Sequence, residues 1–120
     1  MRRLVSGLVI LLAACSTPTS VDSGLLAVSA SSNKVTLSNH TAEPVSYLIA
    51  TPAYLALYDP GLCRLPEGCN ESVAANSTIT IPFERIRGYQ PGERTAVVVH
   101  WRGLAGPPVD SVHRLVIALR

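Results

Sequence analysis

The chain has few charged residues, few aromatic residues and no apolar run long enough to cross a membrane as a helix. Of its 120 residues, 15% are charged and 5% are aromatic, while 48% are hydrophobic. This composition excludes intrinsic disorder and requires a core built mainly from Val, Ile, Leu and Ala. The length suits one globular domain and excludes a multidomain architecture.

The common catalytic motifs are also absent. The sequence has no Gly-x-Ser-x-Gly elbow, no His-Glu-x-x-His pair, no phosphate-binding Gly-Lys loop and no Gly-x-Gly-x-x-Gly turn. Asp110, Ser111 and His113 have the residue types of a hydrolytic triad. However, Ser111 and His113 on one strand would lie about 7 Å apart, which is too far for proton transfer. We therefore expect no enzymatic activity and no cofactor.

The first residues form a short leader. Arg2 and Arg3 supply a basic head, and an apolar run of eleven residues extends from Leu4 to Ala14. A transmembrane helix needs about 20 apolar residues, so this run is too short to span a bilayer. It predicts a secretory signal peptide over residues 1–14.

The leader ends in Leu12-Ala13-Ala14-Cys15, which resembles the lipobox of bacterial lipoproteins. The resemblance implies cleavage between Ala14 and Cys15, a diacylglyceryl group on the Cys15 thiol and an acylated amino terminus. Two or three acyl chains anchor a protein stably, since each buried methylene contributes about 0.8 kcal/mol. The residue after the cysteine is Ser16 and not Asp, which resembles the pattern of lipoproteins sorted to the outer membrane of diderm bacteria. The resemblance therefore implies a position on the periplasmic face of that membrane. The alternative is an ordinary secretory signal in which Cys15 has no role.

Removal of the leader leaves no excess of positive charge. The chain has ten Lys and Arg against eight Asp and Glu. Two of the ten, Arg2 and Arg3, belong to the leader, so eight bases face eight acids afterwards. The remaining bases are scattered along the sequence, and only Arg85 and Arg87 lie close together. Nucleic-acid binding is therefore not expected, because it needs a concentrated basic surface.

Behind the signal, the sequence predicts a lipidated start and flexible tether over residues 15–24 and a β-sandwich domain over residues 25–120. The tether is small and polar and contains Pro18. From Leu25 onward, short alternating runs are separated by turn residues, which is typical of an all-β domain. We predict about seven strands, at residues 25–31, 34–39, 45–51, 54–58, 78–83, 95–102 and 111–119.

Alternation along these strands predicts which side chains form the core. The apolar members of each alternating run are expected to face inward, namely Val35, Leu37, Val45, Tyr47, Ile49, Ile79, Ile81, Val97, Val99 and Trp101. Polar residues between them are expected to face outward, namely Thr36, Ser38, Ser46 and Thr80. The last strand is apolar on both faces from Leu115 to Leu119, which favours a central or covered position.

About a hundred residues with seven strands, and Trp101 on a late strand, resemble an immunoglobulin-like or fibronectin type III-like antiparallel sandwich. The Cys-Trp-Cys spacing of antibody domains is missing, so this resemblance implies an architecture and no activity. The segments KVTLSNHTAEPVSYL and GYQPGERTAVVVHW flank a cysteine pair. In this arrangement they are similar to small bacterial lipoproteins whose function is not established.

The two remaining cysteines, Cys63 and Cys69, are separated by five residues in a polar loop. If the leader exports the chain to an oxidising compartment, a local disulfide is expected, contributing about 2 kcal/mol. The spacing is not that of a Cys-x-x-Cys redox motif, and a zinc site needs more ligands than this pair. The closed loop is a possible interaction surface, or an inhibitor-like loop, through Arg64, Leu65, Pro66 and Glu67.

Two histidines, His100 and His113, lie on strands predicted to pair around the 103–108 loop. A register with Trp101 opposite His113 also pairs Val97 with Ile117, so we prefer it for the core. In that register His100 points to the other face of the sheet. The two imidazoles are then apart, and with no third ligand a metal site is not expected.

Two functions remain open from the sequence. The first is a lipid-anchored, non-catalytic binding or structural module of the cell envelope, which contacts the membrane through its lipid and offers loops or an edge strand to another envelope protein. The alternative is a small-ligand or metal-binding periplasmic lipoprotein that uses His100 and His113. A protease-inhibitor-like role of the Cys63 to Cys69 loop is a minor alternative.

Overall fold

The computed structural model describes residues 17–57, 71–104 and 112–120, and these form eight strands and one short α-helix. The strands are β1 (Ser20–Asp22), β2 (Leu26–Ser31), β3 (Lys34–Asn39), β4 (Val45–Ala50), β5 (Ser72–Val73), β6 (Ser77–Pro82), β7 (Thr95–Arg102) and β8 (His113–Ala118); the helix is α1 (Pro52–Leu57), and a 3₁₀ turn follows β6 at Phe83–Arg85. All strand pairs are antiparallel, in one sheet of order β1-β2-β3-β6 and a second of order β5-β4-β7-β8. The predicted all-β sandwich is confirmed.

The core lies between the two sheets, as the alternation predicts for most strands. Val35 and Leu37 of β3 are fully buried, and Ile81 of β6 is buried beside them. Across the interface, the inward residues of β4 belong to the same cluster, namely Val45, Tyr47 and Ile49. The sequence pattern therefore places these faces correctly, since Thr36 and Ser38 lie on the outer face of β3 and Ser46 on the outer face of β4.

Strand β7 departs from the predicted pattern. Its Ala96 and Val98 face the main core, whereas Val97, Val99 and Trp101 form a second buried cluster with Leu48 on the outer face of the sheet. Leu55 of α1 packs against this second cluster. The prediction that Val97, Val99 and Trp101 face inward was wrong. Because this central strand is apolar on both faces, alternation carries no information about which side is which.

The predicted strand at 54–58 was also wrong, because residues 54–57 belong to α1. Pro52 occupies the first helical position, where its missing N–H has no cost. Thr51 precedes it, and its Oγ1 accepts a hydrogen bond from the Tyr54 amide at 3.3 Å. This is a standard N-terminal cap, which satisfies one of the free amides of the first turn.

Ser46 on β4 was predicted to face solvent, and this prediction was wrong. The residue is buried and donates through its Oγ to the Gly103 carbonyl at 2.6 Å.

The predicted flexible tether contains structure. Residues Ser20–Asp22 form β1, which pairs with β2 so that Val21 lies opposite Val28. The Thr19 carbonyl accepts a hydrogen bond from the Ala30 amide at 2.9 Å, and the Pro18 carbonyl accepts one from the Ala118 amide at 2.8 Å. The prediction of a tether over residues 15–24 was therefore wrong for this part. A polar sequence forms a strand here because the edge of β2 supplies the pairing.

Strand β8 was predicted to be central or covered, and it is instead the last strand of its sheet. Val116 on its outer face is 48% exposed. The free edge of β8 is partly covered by β1, which lies beside it, and the Ala118 amide donates a hydrogen bond to the Pro18 carbonyl. The prediction of a central position was therefore wrong, and the predicted cover is only partial.

Candidate functional site at His100

The imidazole of His100 is fully buried at one end of the sandwich and uses both ring nitrogens. Nδ1 lies 3.0 Å from the Val98 carbonyl oxygen, which can only accept, so Nδ1 carries the proton. In the neutral ring Nε2 is then an acceptor, and it receives the Ser23 hydroxyl at 2.6 Å. This bond joins the β1–β2 turn of one sheet to β7 of the other.

The Ser23 hydroxyl is itself held in place by the turn that follows β1. Its Oγ accepts hydrogen bonds from the amides of Leu25 and Leu26, each at 3.3 Å. The Ser23 amide donates to the Leu26 carbonyl at 3.0 Å, which closes the turn. Asp22 adds a further bond, since its Oδ1 accepts from the Gly24 amide at 2.7 Å. The hydroxyl is therefore oriented by the backbone before it meets His100.

The structure brings His100 and His113 together, contrary to the predicted register. The two residues are direct cross-strand partners, and Val97 lies opposite Val116 instead of Ile117. The ring centroids are 5.4 Å apart and the ring planes are 19° from parallel. The prediction that Trp101 lies opposite His113 was wrong by one residue. Such a slip exchanges the faces of a whole strand, and apolar residues on both faces of β7 gave no means to detect it.

Burial determines the protonation of His100. Removal from water lowers its pKa below the ordinary 6.5, because the charged ring is poorly solvated inside the sandwich. The bond to the Val98 carbonyl opposes this shift, and the neighbouring His113 adds to it. The neutral ring is thus the favoured form around neutral pH.

This arrangement supports a structural role better than a catalytic or metal-binding one. A serine hydroxyl bonded to a histidine is the first half of a nucleophilic pair. Here, however, the same oxygen also accepts two amides of its own turn. A metal ion would have to displace either Ser23 or Val98 from His100. Among residues 17–57, 71–104 and 112–120, no three side chains of His, Cys, Asp or Glu are grouped as metal ligands.

A second buried polar residue, Asn39, holds the same end of the sandwich. Its Nδ2 donates to the carbonyls of Glu43, Val73 and Ala74 at 2.8, 3.0 and 3.2 Å. Its Oδ1 accepts from the amide and the hydroxyl of Thr41. Asn39 lies on β3 and its acceptors include β5, so it joins the two sheets as His100 does.

The opposite end is where the chain enters the sandwich, and we call it the entry end. It contains Pro18, the 31–34 turn between β2 and β3, the start of β7 and the end of β8. The hydrogen bonds Ala30 to Thr19, Phe83 to Asn33 and Leu119 to Arg94 fix these segments together. The end that contains Ser23, Asn39 and His100 is the far end.

The strand directions gather scattered cations at the entry end. The strand topology places five of the described bases at this end, namely Lys34, Arg85, Arg87, Arg94 and Arg120. Only two described acids, Glu84 and Glu93, accompany them. Only the Arg85 and Arg87 pair of this cluster is visible in the sequence, because its other members are far apart in the chain.

Several predicted site residues lie outside the described ranges. These are the cleavage and lipidation residues Ala14 and Cys15, the disulfide pair Cys63 and Cys69, and the interaction loop Arg64, Leu65, Pro66 and Glu67. The signal peptide, lipid anchor and disulfide therefore stay predictions. Within the part of the chain that the structure describes, no helix has the length and apolar character of a membrane span.

Comparisons with known proteins identify no relative of this chain. No family model, curated protein or solved structure matches this chain. The sequence motif at the leader and the geometry of the sandwich are therefore the grounds on which a function is proposed.

Proposed function

We propose that the chain is a lipid-anchored lipoprotein of the bacterial cell envelope whose sandwich is a non-catalytic binding module. The lipobox-like Leu12-Ala13-Ala14-Cys15 supplies the anchor. The observation that carries the binding role is the open edge of β6, which pairs with β3 on one side and with no strand of the described residues on the other. The partner would be an extended segment of another envelope protein.

The register defines what the edge of β6 offers. The Phe83 amide donates to the Asn33 carbonyl, which sets the alternation of bonded and non-bonded pairs between β3 and β6. By that alternation the N–H and C=O groups of Thr78 and Thr80 point away from β3. Both threonine side chains are exposed. An added strand would therefore find two donors and two acceptors in line, which is the requirement for β-augmentation.

The polar groups of the sandwich support binding over catalysis. Ser23, Asn39 and His100 all form bonds that hold turns and sheets together. The Tyr47 hydroxyl donates to the Glu71 carboxylate at 2.9 Å, and burial together with this bond raises the pKa of Tyr47. None of these groups combines exposure with a free nucleophilic or basic atom, so each is better explained as part of the scaffold.

A small-ligand or metal-binding lipoprotein is the second candidate. The observation in its favour is the stacked pair of His100 and His113, which the register brings to one site. It ranks second because both nitrogens of His100 are already bonded. An immunoglobulin-like relationship of the sandwich is a further proposal, supported by its two antiparallel sheets.

The test is cross-linking of the full-length protein in its host, followed by identification of what co-purifies. We expect a specific envelope protein with the wild type, and loss of membrane attachment with Cys15→Ser. Thr80→Pro removes one outward N–H of β6 and should abolish the cross-link, because proline is tolerated at an edge but cannot donate. Thr80→Val keeps that N–H and is the matched control. Equal cross-linking by both Thr80 variants would exclude the β6 edge.

A further inference from the structure

We infer that the entry end of the sandwich lies against the membrane surface and that its cations bind the phosphates of anionic lipid headgroups. The inference rests on the proposed lipid anchor at Cys15. It adds an orientation and a class of ligand, because a lipoprotein on a long flexible tether would have neither.

The covalent reach of the chain brings the entry end to the headgroups. Pro18 is bonded to the Ala118 amide at 2.8 Å and so belongs to the sandwich. From Cys15 to Pro18 there are three residue steps, which span at most about 11 Å when fully extended. This reach is comparable with the Debye length of about 8 Å at physiological ionic strength. The bonds from Ala118 to Pro18 and from Leu119 to Arg94 place Arg94 and Arg120 beside this point, so these two cations are within electrostatic range of the lipid surface.

The charges of the described residues are unequal at the two ends. The entry end has five cations against two carboxylates, and Lys34, Arg85, Arg94 and Arg120 among them are exposed. The far end has the two acids Asp22 and Glu43 against Arg102 and Arg114, while Glu71 lies level with Tyr47 in the middle of β4. Arg102 lies 3.8 Å from Glu43, so part of its charge is compensated. The positive end is therefore the end from which the chain leads back to the lipobox.

An anionic membrane fits this surface better than a nucleic acid or an acidic protein. The cations lie at the end of the sandwich where the chain enters, so a lipid bilayer that holds the anchor would be the first surface this end meets. Each Lys or Arg close to an anionic surface favours the docked orientation by about fivefold. Several such residues acting together would hold the domain in one orientation, with the His100 end directed away from the membrane.

The test is amide hydrogen exchange of the lipidated protein in vesicles of phosphatidylcholine alone and of phosphatidylcholine with phosphatidylglycerol. We expect slower exchange in the 31–34 turn and in residues 90–94 when phosphatidylglycerol is present, and no change in the 39–44 turn at the far end. Lys34→Gln with Arg94→Gln should reduce the ratio of docked to undocked protein by about 25-fold. Arg102→Gln with Arg114→Gln removes the same charge from elsewhere and should leave the protection unchanged.

The outcomes separate the orientation from the anchor. The mass of the chain reports lipidation independently. A lipidated protein with equal exchange in both vesicles, or with protection at the far end, would overturn the orientation and leave the proposed function standing. Protection that needs an added envelope protein instead of phosphatidylglycerol would assign the cations to a protein partner and overturn the inference. A chain without an acyl group would overturn both.

Discussion

The rings of His100 and His113 stack across β7 and β8, one fully buried and the other exposed, with centroids 5.4 Å apart. The buried ring is bonded on both nitrogens and connects the two sheets through Ser23. Protonation of the His100 ring therefore affects the free energy of unfolding of the sandwich.

Stability should fall at acidic pH because of His100. Its folded-state pKa is lowered below 6.5 by burial, so the unfolded chain binds more protons between that lowered pKa and about 6.5. The unfolding free energy has its full value above this window and declines as the pH drops through it. Chemical denaturation at several pH values measures the slope. His100→Gln should flatten the slope, whereas His40→Gln, at an exposed site, should leave it unchanged; equal slopes in both variants would contradict the assignment.

Removal of the Ser23 hydroxyl should destabilise the fold. Ser23→Ala leaves the buried Nε2 of His100 without its donor and frees the amides of Leu25 and Leu26. Such losses cost about 1–3 kcal/mol in the free energy of unfolding. Ser29→Ala, at an exposed position on β2, is the matched control and should change it by less than about 0.5 kcal/mol. The same small effect at both sites would show that the bond to His100 contributes little.

Asn39 should be among the most sensitive positions. Asn39→Ala withdraws the donor from three carbonyls and the acceptor from Thr41. We expect a loss of at least about 3 kcal/mol in the free energy of unfolding. The neighbouring His40 is exposed, and His40→Ala provides the reference in the same denaturation experiment. A loss below about 1 kcal/mol at Asn39 would contradict the described bonding.

Gly88 should not tolerate a side chain. Its φ is +78°, and an added Cβ would lie 2.7 Å from the Thr51 Oγ1 and 2.8 Å from the Tyr54 Cβ. Gly88→Ala therefore combines backbone strain with a clash at the start of α1, and should cost about 3 kcal/mol or more. Gly92 has a φ of +100° and no atom within 4 Å of the added Cβ. Gly92→Ala should cost about 1 kcal/mol, and thermal melts of both variants separate strain from clash.

Zinc and copper should bind weakly. Calorimetric titration of the folded protein should give little heat, because His100 has no free ring nitrogen. His113→Ala should leave the titration unchanged. Strong binding that disappears in His113→Ala would instead favour the ligand-binding alternative over the binding module.

Much of the sandwich is predictable from local patterns. The bounds of β3 and β7 agree with the prediction, and β2, β4, β6 and β8 differ only at their ends. These strands alternate or are β-branched between clear turns, so their formation depends on neighbouring residues. By contrast, β1 and β5 are too short and polar to be recognised, and α1 is set by the Thr51 cap and Pro52 instead of by its apolar pattern.

The sequence alone determined the all-β class, the inward faces of β3 and β4, and the lipobox-like leader, because each depends on residues adjacent in the chain. Only the tertiary structure decided the β7–β8 register that stacks His100 on His113, since apolar residues on both faces of β7 made two registers equivalent. It also decided the bonding of Ser23 to His100, 77 residues away. The clustering of Lys34, Arg94 and Arg120 at the entry end has the same origin, because only the folded strand directions bring such distant residues together.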